Sequence, residues 1–393
     1  MMARVDLRSV PTALLLALTV AAPLEAQSVF NSAGLGVPSE ALDGRSRAMG
    51  SMGIGLPGGA FMPTDPGALG RLTVATGVVA SQPSWIDYAA DGGPSGSFQA
   101  NRFPLLGLAY PAFNGMVSFQ VGSFLDQNYT DRRTGSVDLS TETVVTNDEF
   151  VQDGSVSNLN IGYARMLGPD VSAGITVGRY AGSIRRTLTR TYGEEVAADV
   201  NSYIEEGRWA YTGYHVTPGA AVDLDGRWHL AVSVQIPTSL DAEAQEGTEG
   251  GDRTFDLPVQ YRAGASASFG PGLLVGASVV MADWSATQDD LTGSVEAGDA
   301  NGFGLGVEFT RARLWGKDAP LRFGFRRSSL PFSFGTGDVT ERIFSGGVGL
   351  ALNRANDVTL ASVDLAVERG RRWSPGISEN FWRATISFQA AGF

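Results

Sequence analysis

The sequence of 393 residues predicts an all-β protein, a closed transmembrane antiparallel β-barrel of about 14 strands with an N-terminal plug segment. Three observations support this fold class. The N-terminus has the pattern of an export signal, apolar and polar residues alternate over most of the remaining chain, and short turns alternate with long loops. A length that would otherwise suggest two or three soluble domains is compatible with one closed barrel.

Residues 1–26 have the three parts of a secretory signal. Arg4 and Arg8 give a positive start, residues 10–23 (VPTALLLALTVAAP) are apolar, and Ala26 offers a small residue for cleavage. The apolar run is shorter than the ~20 residues that a membrane-spanning helix needs. We therefore expect cleavage after Ala26 and export of the mature chain. Because the chain has no cysteine, a lipoprotein anchor and a disulfide framework are excluded.

Composition argues against several other functions. With 29 Lys and Arg against 41 Asp and Glu, the net charge of −12 leaves no basic field for nucleic acid. The chain has two histidines, His215 and His229, and no cysteine, so it cannot form a Cys/His zinc site. The acidic loop at 241–252 lacks the spacing of a cation-binding loop, and residues 302–306 (GFGLG) alternate as a strand and lead into no helix. No metal, cofactor or catalytic group is predicted.

Alternation is clearest over residues 228–236. Trp228, Leu230 and Val232 share one face, whereas His229 and Ala231 share the other. The same pattern recurs at 257–269, 303–309 and 321–326. The second face is rich in Gly, Ser and Ala rather than in the Thr, Lys and Glu of a soluble sandwich. That composition favours a face turned toward a lumen or a plug.

The connections give the strand number. Six short turns are predicted near 111–115, 168–170, 223–227, 270–272, 313–320 and 353–357. Seven long loops are predicted at 91–96, 128–155, 190–208, 239–253, 287–300, 332–339 and 370–379. Together they join 14 strands, an even number, and closure leaves no unpaired sheet edge in lipid.

Tryptophan positions predict an aromatic girdle at each rim of the barrel. The predicted members at the long-loop rim are Trp85, Trp209, Trp284 and Trp373. Those at the short-turn rim are Trp228 and Trp315.

Residues 27–71 are rich in Gly and Pro without a sustained period, and residues 72–393 carry the barrel pattern. Eight strands already enclose a space that side chains fill, so something must occupy the lumen of 14. The stretches 44–53 (GRSRAMGSMG) and 65–69 (DPGAL) resemble the N-terminus of the FadL and PorV superfamily of outer-membrane proteins, which commonly reads R-x-x-G-M-G-G-A and then N-P-A-G-L. The residues that carry the resemblance are Arg47, Gly50, Met52, Gly53, Asp65, Pro66, Gly67, Ala68 and Leu69.

The resemblance implies that residues 27–71 fold inside the barrel as a hatch. FadL-type members take up hydrophobic molecules such as long-chain fatty acids or aromatic hydrocarbons and release them through a gap beside an inward-kinked third strand. In this sequence that strand is 116–124, and Gly122 is the position where a kink is easiest. The terminal Phe393 resembles the signal read by the barrel-assembly machinery, although its parity differs from that of the preceding strand.

These features lead us to expect a monomer in the bacterial outer membrane, surrounded by lipid and lipopolysaccharide. Inward-facing Leu274, Val280 and Trp284 are predicted either to line an apolar pocket or to contact the plug. Charged residues of the same face are predicted to bond the plug and each other or to face lumen water. They are Arg262, Glu308, Arg322, Arg326, Asp364 and Glu368.

Three functions remain open at this point. The first is passive uptake of a hydrophobic small molecule. The second is a PorV-like role as partner or shuttle for secreted proteins, which long structured outer loops and the absence of an apolar lumen lining would favour. The third is a closed structural barrel, which would have a polar and fully occupied lumen. An enzyme is the reading that the residues support least.

Overall fold

A computed structural model describes residues 28–58, 61–139, 142–193, 201–291, 293–314, 316–335, 337–355 and 358–392. The predicted signal, Trp315 and Phe393 lie outside these ranges. Fourteen strands form the wall: β1 (Thr76–Ala90), β2 (Ser95–Ala112), β3 (Gly115–Asp126), β4 (Glu142–Met166), β5 (Val171–Tyr192), β6 (Tyr203–Leu224), β7 (Trp228–Pro237), β8 (Gln260–Phe269), β9 (Leu273–Ala282), β10 (Gly302–Phe309), β11 (Leu321–Leu330), β12 (Val339–Ala355), β13 (Val358–Ser374) and β14 (Ile377–Ala391).

Each wall strand pairs antiparallel with the next, and β14 pairs with β1 to close the barrel. The predicted fold class and strand number are therefore confirmed. The short turns lie at one rim, which is the periplasmic one in barrels of this kind, and the long connections lie at the other.

Shorter elements complete the structure. Two α-helices, α1 (Gly44–Ala48) and α2 (Pro66–Leu69), precede the wall, and 3-10 helices cover Val29–Ser32 and Trp284–Asp290. Short strands are Val37–Pro38, Tyr129–Leu139, Leu240–Ala244, Arg253–Phe255, Glu296–Ala297, Arg313–Leu314, Lys317–Asp318 and Phe332–Ser333. Among the described residues, no helix has the length and apolar character needed to cross a membrane.

The two faces of the wall follow the predicted alternation. On β7, Trp228, Leu230 and Val232 are exposed on the outer surface, and His229 and Ala231 are buried inside. The inward Gly, Ser and Ala residues serve close packing, since a Cβ atom on Gly304 or Gly306 would collide with the backbone of Gly50 or Met49. Small inward residues therefore let the plug backbone touch the wall.

Several predicted loops are strands. Tyr129–Leu139 pairs with β4 over most of the region predicted as the loop 128–155, and β13 and β14 run through most of 370–379. The strands β4, β5 and β6 have 25, 22 and 22 residues and so extend beyond the membrane, which a strand crosses in about 9–11 residues. Outside lipid both faces of a strand are wet, so these segments show too little apolar alternation to be distinguished from loops.

Two predicted girdle residues are buried instead. The Trp209 ring lies under the guanidinium groups of Arg186 and Arg253, at 5.6 and 6.0 Å. The Trp284 ring meets Phe332 edge-on, with ring centroids 5.3 Å apart. Both belong to an apolar cluster at the outer end of the barrel, where tertiary packing rather than the lipid interface accounts for them.

Residues 28–58 and 61–72, called the plug below, run from the outer end of the lumen to the short-turn rim. At the outer end, Ser28 Oγ donates to Glu379 Oε1 at 2.8 Å and Val29 N donates to the same oxygen at 2.6 Å. At the short-turn rim, Arg71 forms an ion pair with Asp223. The plug precedes the first wall strand, which begins at Thr76, and its backbone packs against inward wall residues such as Gly304 and Gly306.

Candidate functional site

The wall has a break between its second and third strands. β3 pairs with β2 from Gly115–Ala112 as far as Gly122–Leu105. Beyond Gly122, β3 pairs with β4 alone among the wall strands, and that ladder shifts register between Ser123 and Leu125. The outer half of β2 pairs with β1. Hydrogen bonding between two neighbouring wall strands is therefore lost over the outer half.

Pro104 accounts for the position of the break. It is the residue next to Leu105, where the β2–β3 ladder ends, and proline has no N–H to donate. The ladder between β1 and β2 also shifts register here, between Ala80 and Gln82. Near Pro104, β2 loses regular pairing with both β1 and β3. Few interstrand hydrogen bonds therefore oppose the separation of β2 from β3 at this point.

The plug takes the place of β2 at the break. Val37 and Pro38 pair antiparallel with Asp126 and Leu125 of β3, and Ser39 N donates to Phe124 O at 2.7 Å. The end of β3 is thus bonded to β4 on one side and, on the side that β2 leaves, to the plug inside the lumen.

A chamber of about 140 Å³ lies between the plug and the outer end of the barrel, beside this break. Gly122, Ser123 and Arg102 line it on the side of the break. Its apolar lining includes Phe124, Val280, Ala282, Trp284 and Leu330. Its charged lining comprises Arg47, Arg102, Arg262, Arg326, Arg372, Arg383, Glu40 and Glu341. The chamber is therefore amphipathic, with an excess of guanidinium groups.

Buried carboxylates compensate four of these arginines. Glu368, fully buried on β13, lies 2.8 Å from Arg326, 3.7 Å from Arg383 and 3.8 Å from Arg47. Arg372 lies 2.7 Å from Glu341 and 3.2 Å from Glu379. Because buried charges need partners, these contacts hold the plug and the chamber wall together as one network.

Arg102 and Arg262 are less compensated. Arg102 donates to Gln82 Oε1 at 2.7 Å, and its nearest carboxylate, Asp126, is 4.0 Å away. Arg262 donates to Gln260 Oε1 at 2.8 Å and has no carboxylate within 4 Å in the described part of the chain. Its Nη1 is buried without a hydrogen-bond partner there. These guanidinium groups have hydrogen-bonding capacity left for an anionic group in the chamber.

Solved structures share this architecture. A Pseudomonas aeruginosa FadL homologue aligns with a TM-score of 0.62 at 13% identity, covering 91% of this chain and 100% of that chain. The CymD monoaromatic hydrocarbon channel gives 0.57 at 14% identity, covering 91% and 98%. The Ralstonia pickettii toluene transporter TbuX gives 0.56 at 15% identity, covering 92% and 100%. The chain has the FadL-type barrel fold. No protein-family model and no curated protein matches the sequence.

In this FadL-type barrel the predicted plug motif lies deep in the lumen. Arg47 belongs to the Glu368 network, and Gly50 has a φ of +61° where its backbone meets that of Phe325. Met52 N donates to Ser278 Oγ at 2.9 Å. Gly53 has a φ of +83° and packs against Thr64.

The second half of the motif forms helix α2. Asp65 caps it, accepting from Ala68 N and from Gly55 N, each at 3.1 Å. Pro66 occupies the first turn, Gly67 packs on the backbone of β6, and Ala68 and Leu69 are buried. The Asp65 carboxylate therefore joins two parts of the plug. Pro66 is compatible with the start of the helix, because the first N–H groups of a helix have no partner within it.

The residues predicted to line the lumen fall into two groups. Val280, Trp284, Arg262 and Arg326 line the chamber. Leu274 packs instead against Met49, Leu56 and Met62 of the plug. Glu308 and Arg322 lie nearer the short-turn rim, where Glu308 accepts from Arg45 at 2.9 Å and lies 3.5 Å from Arg322. Arg322 also pairs with Asp364.

Sequence reasoning missed three arginines of the chamber, namely Arg102, Arg372 and Arg383. Each is adjacent in sequence to an outward aromatic residue: Phe103, Trp373 and Trp382. Since neighbours on a strand face opposite sides, this pairing was a usable signal for an inward arginine. The described residues hold no group of three or more His, Asp or Glu side chains placed to bind a metal ion.

Proposed function

We propose that the protein is an outer-membrane channel for passive uptake of hydrophobic small molecules, with sideways release through the break beside β3. The observation that carries the proposal is the end of the β2–β3 ladder at Leu105–Gly122, directly beside the chamber. The apolar part of a molecule that leaves through this break enters lipid without crossing water, which suits a hydrophobic cargo. The fold shared with the CymD hydrocarbon channel and the toluene transporter TbuX supports the same role.

Within this class, the chamber favours a cargo that carries an acidic group. Phe124, Val280 and Trp284 offer an apolar surface, and Arg262 faces the same space without a carboxylate partner within 4 Å in the described residues. A guanidinium group in an enclosed site binds a carboxylate through charge-assisted hydrogen bonds. Among the predicted cargoes this selects long-chain fatty acids over uncharged aromatic hydrocarbons.

The chamber volume adds a condition. A cavity of about 150 Å³ holds a benzene-sized molecule, and this chamber is about 140 Å³. A long-chain fatty acid therefore needs its tail to lie in the break or the plug to move. Uptake consequently depends on the contacts between the plug and β3 at Val37–Ser39.

The test is uptake of a fluorescent long-chain fatty acid into liposomes by the refolded mature protein. Saturable uptake that falls at least fivefold in Arg262→Gln, with less effect on toluene uptake, is expected. Arg185→Gln is the matched control, because Arg185 lies on the outer part of β5 away from the chamber and pairs with Glu206. No binding and no uptake by a folded barrel would remove the channel proposal, and equal fatty acid uptake by Arg262→Gln would remove the role of the carboxylate.

A second candidate is a PorV-like partner for secreted proteins. The observation in its favour is the outer sheet made by Tyr129–Leu139, the ends of β4, β5 and β6, and Leu240–Ala244. This ordered outer surface is the place where a protein partner would bind. Deleting residues 130–151 separates the two roles, since a partner function would be lost and fatty acid uptake would persist.

A further inference from the structure

A second candidate site lies on the outer, lipid-facing surface and is independent of the proposed channel. It is an apolar groove of about 570 Å³, within the ~300–1,000 Å³ range of ligand sites. Its floor is made of small outward residues on two adjacent strands, Ala265 and Ala267 of β8 and Val275 and Ala277 of β9. Large side chains rise on both flanks, so the groove is a depression in the wall rather than a flat stretch of it.

Aromatic residues form the flanks. Trp228 of β7 pairs across from Ala267, and Phe269 follows at the end of β8. On the other side, Leu305 of β10 leads to Phe323 and Phe325 of β11. The flanks lie on β7 and the end of β8 on one side and on β10 and β11 on the other, so the groove is a few strand spacings of about 4.8 Å across. An acyl chain is narrower than this groove and can lie in it.

The groove lies in one leaflet of the membrane. The pair Phe269–Leu273 marks the short-turn rim, and the pair Ala265–Ala277 lies four residues further along β8. At about 3.4 Å per residue this depth is roughly 14 Å, which is within half of a ~30 Å hydrocarbon core. The occupant therefore comes from the leaflet at the short-turn, periplasmic rim.

Two cations flank the mouth of the groove. The Arg227 guanidinium lies 4.9 Å from the Phe269 ring centroid and 5.6 Å from that of Trp228. The Arg311 side chain extends over Gly272 in the β8–β9 turn. Both side chains are exposed, and neither forms an ion pair with a carboxylate in the described part of the chain. Their charges are therefore open to an anion at the membrane surface.

We propose that this groove binds one phospholipid of the periplasmic leaflet, with its phosphate between Arg227 and Arg311 and one acyl chain between the aromatic flanks. The charge and the apolar lining are complementary to the two parts of a phospholipid, and both lie at the depth where those parts reside. A phosphate accepts from guanidinium groups with charge-assisted hydrogen bonds. Asp225, in the same turn as Arg227, opposes the phosphate and weakens the site.

Native mass spectrometry of the folded barrel with dipalmitoyl phosphatidylglycerol tests the site. The wild type is expected to retain one lipid, and dipalmitoylglycerol, which lacks the phosphate, is expected to bind at least tenfold more weakly. Arg227→Gln with Arg311→Gln, and separately Ala265→Leu with Ala277→Leu, should each lower phospholipid retention at least tenfold. Asp225→Asn should raise it.

Two control variants make the result specific. Arg165→Gln removes an exposed arginine at the short-turn rim away from the groove, and Ala263→Leu enlarges an outward alanine on β8 beyond it. Heat-dependent gel mobility establishes that each variant is folded. Equal retention by the wild type and the groove variants would overturn the proposal. A wild-type dimer that the alanine variants separate into monomers would overturn it as well, because the groove would then receive a second copy of the chain.

Discussion

Gly122 of β3 and Ala41 of the plug face each other so closely that a Cβ atom on Gly122 would lie 2.6 Å from Ala41 Cβ. This contact lies where the β2–β3 ladder ends. The plug therefore contacts the wall where the hydrogen bonding between β2 and β3 ends. The position of the plug and the geometry of the break are thus coupled.

Gly122→Val tests this coupling. We expect a loss of about 1–3 kcal/mol in the free energy of unfolding, because an added side chain overpacks the contact. Ala41→Gly in the same chain should recover most of the loss. Gly346→Ala is the matched control, since the first atoms that its Cβ would meet are 3.8 Å away. Urea unfolding in detergent measures these four proteins and Ala41→Gly alone, and additive effects in the double variant would contradict the coupling.

Asp65 holds the plug together near the short-turn rim. Asp65→Ala leaves the buried N–H of Gly55 without its acceptor, at a cost of about 1–3 kcal/mol, whereas Ala68 N keeps the backbone carbonyl of residue 65 as an acceptor. We expect the plug to loosen and small hydrophilic solutes to leak into liposomes. Asp65→Asn keeps one side-chain oxygen that can accept from Gly55 N and should leak much less. Equal leakage from both variants would show that the acceptor is not what matters.

Glu368 is the central carboxylate of the chamber network. Glu368→Gln leaves Arg47, Arg326 and Arg383 with less compensation, and breaking a buried ion pair costs about 3–5 kcal/mol. We expect a clearly lower unfolding midpoint in urea. Glu149→Gln is the control, because its pair with Arg132 is exposed and should contribute little. An unchanged midpoint for Glu368→Gln would mean that the arginines find other partners.

Asp148 predicts an acid-sensitive contact in the outer sheet, beyond the membrane. Arg190 donates to both of its oxygens, at 2.6 and 2.7 Å, and these hydrogen bonds lower the pKa of Asp148 from its usual value near 3.8. With the folded pKa below the unfolded one, the contact stabilises the sheet above the unfolded pKa and is lost as pH falls through the folded pKa.

Carboxyl NMR titration checks this prediction. The Asp148 pKa should be below its usual value in the wild type and should return toward it in Arg190→Gln. A wild-type Asp148 that titrates at the same pH as in Arg190→Gln would contradict the assignment.

Much of the fold was predictable because a barrel wall obeys a strict rule. One face of each strand meets lipid and the other meets the lumen. Apolar and small or polar residues therefore alternate on strands such as β7 and β10, and this alternation can be recognised in the sequence. The rule fails where both faces are wet, and Tyr129–Leu139 was for that reason predicted as part of a loop. It also fails for Trp209 and Trp284, which distant residues bury.

The sequence by itself determined the strand number and the inward and outward faces, because both depend on local period and composition, and its resemblance to the FadL and PorV superfamily indicated the plug. Only the tertiary structure decided which charges meet. Glu40 with Arg326, Arg45 with Glu308 and Ser28 with Glu379 join residues 286, 263 and 351 positions apart. Such contacts arise when closure of the barrel brings the plug against the wall, and no local pattern encodes them.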